Sequence, residues 1–410
     1  MGFETLDELL GLPGYFQNPY PTYARLRAEA PVHWCEPWGQ WLVTRYVDVT
    51  AMLRQPGLFS SSGWEERFLD QLPADAASEL PTVVDHYRTK VVSNTDPPEH
   101  TRLRKLIAKS FTPKVLALMR PQISRLVDDL VDRMAASTET DLISSFAYPL
   151  PATVIAVLLG APAQDRDRFE RWSHDIVSFV GTGSPDLELA RREEESLRQF
   201  RAYLNNLIDE RRVALREDLL SLLIERSEDG DQLTRDELIS TCITLLFAGH
   251  ETTANLIGNL MLALLRHLDQ WGAIVANPGL GASAVEELLR YDSPVQRVRR
   301  VATQDLSLSG KSVRRGELVM GFLGSANRDP EIFRHPDSFD LSRASTRHTA
   351  FGGGIHFCLG AALSRLEGPI AIEALARRFP KMRLALGAEP QFRPNMTFRG
   401  LASLPVELNA

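Results

Sequence analysis

Apolar residues recur every three to four positions along most of the chain, the period of an amphipathic α-helix. The pattern predicts helices in the segments PTYARLRAEA, PPEHTRLRKLIAKSF and RPQISRLVDDLVDRMAA. It also predicts a charged, helix-rich region over residues 164–225, interrupted at GTGSP. Most of the chain is therefore expected to be helical.

The longest predicted helix runs from Thr234 to about Leu268 and is apolar on nearly all sides, so we expect it to be buried. At about 1.5 Å per residue, it would span roughly 50 Å, the width of a whole domain. A shorter helix follows in SAVEELLRYDSP and ends before Pro294.

Strand-like alternation is confined to short segments. GQWLVTRYVDVTAML begins with alternation and continues as a helix, and residues 295–325 are typical of short strands joined by tight turns. The C-terminal LASLPVEL is also β-like. The predicted fold class is mainly α with a small β region. No Ser/Gly tract, Pro-rich run or block of like charge divides the chain, although ~150 residues per domain would suggest two or three domains.

Composition and charge exclude several classes of protein. The net charge is −7, from 46 basic and 53 acidic residues, which argues against a general nucleic-acid binder. The cysteines Cys35, Cys242 and Cys358 are odd in number and far apart, which argues against a disulfide scaffold or a zinc site. A reducing compartment fits this cysteine usage.

The sequence lacks targeting and membrane signals. MGFETLDELLGLPGYF has neither the basic start nor the apolar run of a signal peptide. The most apolar stretch, LPATVIAVLLGA, is shorter than the ~20 residues that cross a bilayer. We therefore expect a cytoplasmic protein with no membrane association.

The segment FGGGIHFCLGAALSRLE carries the first candidate chemistry. A glycine run permits a tight turn, and Cys358 is expected just before a helix that starts near Leu359. The positive end of that helix would favour a thiolate, which could be a nucleophile or a metal ligand. The alternative is a small buried cysteine in a tight loop.

The residues around Cys358 form a longer motif. It reads F-G-x-G-x-H-x-C-x-G and consists of Phe351, Gly352, Gly354, His356, Cys358 and Gly360. This motif resembles the haem-binding loop of the cytochrome P-450 family. The resemblance implies that Cys358 is the axial iron ligand and that Gly352 shapes the haem-binding loop. It further implies that His356 contacts a haem propionate and that Gly360 lets the backbone pass close to the porphyrin.

The long helix carries AGHETT, with polar residues in an apolar surrounding. Burying them is costly unless they are paired or functional. Thr252 could simply bond back to the carbonyl four residues earlier, and Glu251 could form a buried salt bridge. An acid and an alcohol beside Gly249 also suit proton delivery. The resemblance assigns Glu251 and Thr252 to that catalytic role.

EELLR places Glu287 and Arg290 three residues apart, on one helix face. Glu286, four residues before Arg290, is an equal candidate as its partner. A surface pair of this kind would contribute little stability. The resemblance selects Glu287 and Arg290 as a structural pair and adds Arg343, from FDLSR, as a third member.

Basic residues supply candidate partners for the two haem carboxylates. His100 and Arg104 lie four residues apart and share a helix face. The resemblance places both near the propionates and adds Arg300, with Arg299 as the alternative. For an unplaced helix, a solvated basic face is the competing interpretation. Three further cations on that helix could dock an acidic electron donor or serve only solubility: Arg102, Lys105 and Lys109.

The resemblance covers the chain from about Asn18 onward. It implies one triangular-prism domain over residues 1–410 that binds haem b and inserts one atom of O2 into a mostly apolar small molecule. Electrons would come from a ferredoxin and an NAD(P)H-dependent ferredoxin reductase, and the protein would be a monomer. Two alternatives stay open: a peroxide-driven peroxygenase on the same fold, against which Glu251 and Thr252 argue, and a non-enzymatic haem-binding sensor. Ser364 stands where the family more often has alanine.

Overall fold

Helices make up most of the fold. The computed structural model describes residues 5–73, 75–225, 232–343 and 347–409. In those residues the α-helices are α1 (Leu6–Gly11), α2 (Pro13–Gln17), α3 (Tyr20–Glu29), α4 (Tyr46–Arg54), α5 (Trp64–Leu69), α6 (Ala76–Glu79), α7 (Pro81–Arg88), α8 (Glu99–Ala108), α9 (Pro113–Met134), α10 (Pro149–Leu158), α11 (Arg166–Val180), α12 (Leu187–Val213), α13 (Leu219–Glu225), α14 (Arg235–Arg266), α15 (Leu268–Ala276), α16 (Gly281–Tyr291), α17 (Leu323–Ala326) and α18 (Ala361–Arg378).

The strands are short and form three small sheets. They are β1 (Val32–Cys35), β2 (Gln40–Val43), β3 (Phe59–Ser60), β4 (Glu139–Asp141), β5 (Arg297–Ala302), β6 (Leu306–Leu308), β7 (Lys311–Val313), β8 (Leu318–Phe322), β9 (Arg383–Leu384) and β10 (Pro405–Glu407). The sheet orders are β1-β2-β8-β5-β3, β4-β10-β9 and β6-β7. Within the first sheet β2 and β8 run parallel, and its other pairs are antiparallel. The predicted mainly α fold with a small β region is confirmed.

The long helix α14 is the central element of the fold. A capping box fixes its start, because Thr234 and Glu237 each accept a hydrogen bond from the other's backbone N–H. Most of its 32 residues are buried, as the apolar pattern predicted. It packs against α10, α16 and α18, so that a core forms on both sides of it.

Three elements converge on the candidate site: α14, strand β5 and the loop that precedes α18. Strand β5 lies between β8 and β3, with Arg300 paired to Val319 and Ala302 paired to Phe59. Hydrogen bonding on both sides fixes the position of β5 within the sheet. Among the helices that the structure describes, none combines the length and hydropathy of a membrane span.

Candidate active site

The loop before α18 is a turn with little freedom. Gly352 and Gly354 have φ angles of +69° and +62°, a region that glycine tolerates and other residues avoid. A Cβ on Gly354 would also lie 2.4 Å from the carbonyl oxygen of Leu53. The backbone N–H of Cys358 donates to the Phe351 carbonyl at 2.9 Å, which closes the turn. Helix α18 begins at Ala361, slightly later than predicted.

The Cys358 side chain opens into a cavity of about 380 Å³. Burial raises the pKa of the Cys358 thiol, while the backbone N–H groups of Gly360 and Ala361 and the Arg104 guanidinium favour the thiolate. An added Cβ at Gly360 would approach only the Cys358 sulfur, at 4.0 Å. The space beside the sulfur is therefore kept open by the glycine, and a flat ligand can approach it.

Two cations line the same cavity. Arg104 donates to the Phe357 carbonyl at 2.7 Å, and Arg300 donates to the Arg299 carbonyl at 2.6 Å. In the described part of the chain, no carboxylate lies within 4.0 Å of either guanidinium. Arg299 instead points to the carbonyls of Val180 and Thr182 and is absent from this cavity's lining. Of the two adjacent arginines, Arg300 is therefore the one that faces the cavity.

Two imidazoles stand beside these cations. The rings of His100 and His356 have centroids 4.5 Å apart. His356 lines the cavity, and its Nε2 lies 2.8 Å from the Ser61 hydroxyl oxygen. Burial and the cation Arg300 lower the pKa of His356 to about 3, so its imidazole is neutral at pH 7. The Nε2 of His100 is buried and has no hydrogen-bond partner among the described residues.

This set of side chains fits haem b. A single thiol opens at the cavity wall beside a glycine that leaves room for a porphyrin. Arg104 and Arg300 are half-buried and buried cations that have no carboxylate partner among the described residues, and haem carries two carboxylates. The unpartnered nitrogen of His100 adds a further hydrogen-bonding group nearby. The residues predicted from the motif therefore meet at one place in the fold.

Thr252 faces the cavity from α14. Its hydroxyl donates to the Ala248 carbonyl at 2.6 Å, the back-bond that the sequence left open as an alternative. The side chain nevertheless lines the cavity that contains Cys358. A Cβ on Gly249 would lie 3.2 Å from Ile155, so glycine relieves crowding here. An ordered hydroxyl thus stands where α14 borders the cavity.

Glu251 points in a different direction from Thr252. One carboxylate oxygen accepts from Arg393 at 2.7 Å, and the other accepts from the Tyr148 hydroxyl at 3.2 Å. Arg393 and Tyr148 line a separate polar cleft of about 600 Å³, which also contains Glu170. Glu251 is 2% exposed and does not line the cavity with Cys358. Its carboxylate is therefore held on the cleft side of α14.

Sequence reasoning missed Arg393 and Tyr148. They lie 142 and 103 residues from Glu251, and no local pattern marks either as its partner. The imidazole of His250 packs edge-on against Tyr148, with ring centroids 4.2 Å apart. Burial lowers the pKa of His250 to about 4, so the residue is neutral and the Arg393–Glu251 pair is the charged part of this group.

Glu287, Arg290 and Arg343 form a buried cluster. Arg290 donates to both carboxylate oxygens of Glu287, at 2.8 and 2.9 Å, and Arg343 adds a bond of 3.0 Å. The remaining Arg290 N–H groups donate to the carbonyls of Asn327, Pro336 and Ser338. Glu286 has different partners, Arg365 and His348, at 2.7 and 3.2 Å. The structure thus pairs Arg290 with Glu287 and not with Glu286.

On α8, Arg102 has ion-pair partners within the protein. Its Nε donates to Glu99 at 2.6 Å, and its guanidinium also contacts Glu237. Ser364, at the position where the family more often has alanine, lies 3.3 Å from the Thr253 hydroxyl, and both line the cavity. The cavity wall therefore carries one more hydroxyl contact than the motif predicts.

Comparisons with known proteins match most of the chain. The model of the cytochrome P-450 family matches residues 68–271 and 281–405. The polyketide biosynthesis cytochrome P-450 PksS of Bacillus subtilis strain 168 is 38% identical over 405 residues, which cover 96% of this chain and 97% of PksS. The cytochrome P-450 monooxygenase PikC of Streptomyces venezuelae is 42% identical over 397 residues, or 95% of this chain and 91% of PikC.

A solved structure gives the same result for the fold. The crystal structure of cytochrome P-450 BioI, in complex with an acyl carrier protein ligated to hexadec-9Z-enoic acid, superposes with a TM-score of 0.87. The two sequences are 36% identical, and the match covers 96% of this chain and 99% of that one. Sequence and fold therefore agree over nearly the whole length.

Proposed function

The chain belongs to the cytochrome P-450 family of haem b-binding monooxygenases, and we propose that it hydroxylates an apolar organic molecule and that the Cys358 thiolate would hold its haem iron. The single observation that carries the proposal is the shared cavity. Cys358, Thr252 and Arg300 come from three distant parts of the chain and line one space. The proposed reaction needs a thiolate ligand, a hydroxyl that handles protons and a partner for a haem propionate, and all three must line the same cavity.

When bound, haem supplies the iron at which O2 is activated and from which one oxygen atom passes to the substrate. The residues that would hold the group are the Cys358 thiolate, the cations Arg104 and Arg300, and the imidazoles of His100 and His356. Charge-assisted hydrogen bonds to carboxylates are short and strong, so the two arginines would hold the two haem carboxylates firmly. The glycines of the loop keep the sulfur at a constant position.

Thr252 and Glu251 divide the handling of protons. The Thr252 hydroxyl donates to the Ala248 carbonyl, which holds its oxygen at the cavity wall. That oxygen can accept a hydrogen bond from a water molecule that delivers a proton. Glu251 exchanges protons with the polar cleft beside Arg393 and Tyr148. Burial and the Glu251 carboxylate raise the pKa of Tyr148, so its phenol stays protonated and donates to Glu251. Delivery to Thr252 requires the Glu251 carboxylate to leave Arg393.

The cavity wall is mostly apolar and suits a medium-sized or large apolar substrate. Its lining includes Leu245 and Ala248 from α14, and Val295 and Val298 from the segment at the start of β5. One relative is named for polyketide biosynthesis, and one structural neighbour was solved in complex with a carrier protein that holds a fatty-acyl group. On this basis we place the substrate among the polyketide- or acyl-derived compounds of secondary metabolism.

Electrons come from outside the chain in this proposal, from a ferredoxin and its NAD(P)H-dependent reductase, and the protein acts as a monomer. The test is turnover of one substrate with NAD(P)H, ferredoxin and reductase, compared with turnover driven by hydrogen peroxide. The wild-type protein is expected to couple NAD(P)H consumption to product. Thr252→Ala should lower that coupling by ~10-fold or more, because positioned proton transfer contributes at least this much.

Thr252→Ser is the matched control, since it keeps a hydroxyl at the cavity wall and should retain most of the coupling. A Thr252→Ala protein that couples as well as the wild type would remove Thr252 from proton delivery. Turnover with peroxide alone would favour the peroxygenase alternative. Failure of every electron donor to reduce the protein, even with ligand bound, would favour a non-enzymatic haem sensor.

A further inference from the structure

A second chamber adjoins the cavity that contains Cys358. It has a volume of about 270 Å³ and is bounded by α5, α7, α11 and β5. The two spaces share five lining residues, which are Ser93, Thr244, Val295, Val298 and Arg300. A substrate long enough to reach past Val298 therefore extends from the cavity into the chamber.

The wall of this chamber carries an accumulation of buried positive charge. Strand β5 contributes three buried arginines to this wall. They are Arg297, Arg299 and Arg300, which are 1%, 8% and 9% exposed. Among the described residues no carboxylate lies within 4.0 Å of any of the three guanidinium groups. Buried charges are normally paired, because desolvation without an opposite charge is costly. An anion is therefore expected to meet them.

Of these three arginines, one faces the proposed haem cavity, and the hydrogen bonds of another are satisfied within the protein. Arg300 faces the haem cavity. Arg297 donates from Nε to the Thr397 hydroxyl oxygen and from Nη2 to the carbonyls of Gly181 and Thr182, while its Nη1 contacts two methionine sulfurs. Each nitrogen of Arg297 thus has an acceptor.

Arg299 retains donor capacity. Its Nη1 and Nη2 donate to the carbonyls of Val180 and Thr182, but its buried Nε has no acceptor among the described residues. Nη2 carries two N–H groups, so it can serve Thr182 and one further oxygen. The Nε–Nη2 edge of a guanidinium matches two oxygens of one oxyanion. Phe68 and Trp64 lie against its faces at 4.6 and 5.2 Å and hold its plane.

The other titratable groups of the chamber do not neutralise Arg299. Burial raises the pKa of Glu65 to about 8, so this carboxyl is mostly protonated at pH 7. Burial lowers the pKa of His86 to about 4, so its imidazole is neutral. Burial and the adjacent Arg297 lower the pKa of Arg299 well below its usual value, although an arginine side chain stays charged in proteins. The chamber is therefore cationic at neutral pH.

We propose that Arg299 binds an oxyanion of the substrate, a carboxylate or a phosphate ester, while the apolar remainder of the substrate lies beside Cys358. This inference rests on the proposed function and specifies its substrate class. It makes Arg299 a specificity-determining residue. In the competing interpretation, Arg299 is purely structural. It would only hold the segment from Val180 to Thr182, which leads from α11 to α12, through hydrogen bonds to its carbonyls.

The test is isothermal titration calorimetry of the haem-loaded protein with three probes of equal chain length: dodecanoate, dodecyl phosphate and methyl dodecanoate. Wild type is expected to bind the better of the two anions at least ~10-fold more tightly than the ester. Arg299→Gln should weaken binding of that anion by ~10- to 100-fold, the usual value of hydrogen bonds to a charged group. It should leave the ester nearly unchanged, and Arg299→Lys should be intermediate.

The anion that binds more tightly identifies the source of the oxyanion. Arg297→Lys is the control for a loosened α11–α12 connection, because it keeps the positive charge but loses the paired hydrogen bonds to the carbonyls of Gly181 and Thr182, and it should weaken the acid and the ester equally. If Arg299→Gln weakened the binding of the anion and of the ester to the same extent, Arg299 would have only the structural role. Equal affinity of wild type for all three probes, or no binding of either anion, contradicts the proposal even if the variants fold poorly. The ferrous carbonyl spectrum of the same samples reports separately whether the proposed haem–thiolate function holds.

Discussion

Buried arginines occur in two parts of this molecule and have opposite surroundings. Arg290, which is 0% exposed, donates to both oxygens of Glu287 and to backbone carbonyls. Arg299 and Arg300 are almost as buried, yet among the described residues their acceptors are carbonyl oxygens alone. The first arrangement is complete within the protein and stabilises the fold. The second lacks a counter-charge among the described residues, and we propose that ligand anions supply it.

The largest effect is expected where the complete arrangement is broken. Glu287→Gln keeps the shape of the side chain but leaves Arg290 and the half-buried Arg343 without a counter-charge. Removing one partner of a buried ion pair costs about 3–5 kcal/mol, because the other charge stays buried. The unfolding midpoint in urea should fall accordingly, and the yield of haem-loaded protein should fall with it.

Glu286→Gln is the matched control for that experiment. Glu286 lies next to Glu287 on α16, but its pair with Arg365 is partly exposed, at 31% and 40% for the two side chains. Pairs of this kind contribute about 0–1 kcal/mol. If Glu287→Gln were no more destabilising than Glu286→Gln, the distinction between complete and incomplete clusters would fail.

A smaller effect, of a different kind, is expected in the incomplete cluster. Arg300→Gln removes a buried charge that has no carboxylate partner in the part of the chain that the structure describes, so the unfolding midpoint should change much less than in Glu287→Gln. Haem retention should suffer instead. Loss of a charge-assisted hydrogen bond corresponds to about 1.5–3 kcal/mol, so haem should transfer to an acceptor protein ~10- to 100-fold faster.

Arg299→Gln, measured in the same haem-transfer assay, tests whether the side chains of Arg299 and Arg300 point to different sites. Arg299 is adjacent in sequence but faces the chamber and the carbonyls of Val180 and Thr182. Its loss should leave the rate of haem transfer close to that of wild type. An equal acceleration in both variants would mean that the two arginines share one role.

The sequence alone predicts the elements whose pattern is long or whose motif is contiguous. The apolar run from Thr234 predicted a buried helix that is observed as Arg235–Arg266. The spacing around Cys358 predicted a glycine turn before a helix, because the conformation of such a turn depends on residues that are adjacent in sequence. The extent of a single domain over 1–410 stays a prediction.

Partner choice over long sequence distances was beyond such reasoning. In the helix pattern, Glu286 and Glu287 are equal candidates as the partner of Arg290, and only the residues that pack against α16 distinguish them. Arg365 pairs with Glu286, whereas Arg343 and the backbone N–H of Asp340 donate to Glu287. Likewise, the bond from Arg393 to Glu251 depends on how the C-terminal segment crosses α14. The direction of Arg299 depends on where the α11–α12 connection passes. Tertiary packing fixes these contacts, and no local periodicity encodes them.

The central claim is that Cys358 holds the haem iron as a thiolate. The most direct measurement is the absorption spectrum of the ferrous carbonyl complex of wild type and Cys358→His, with haem content checked in both. Wild type is expected to give the red-shifted Soret band of a thiolate-ligated haem, and Cys358→His should bind haem without that band. A red-shifted band that persists in Cys358→His would contradict the account, because the ligand would then be another residue.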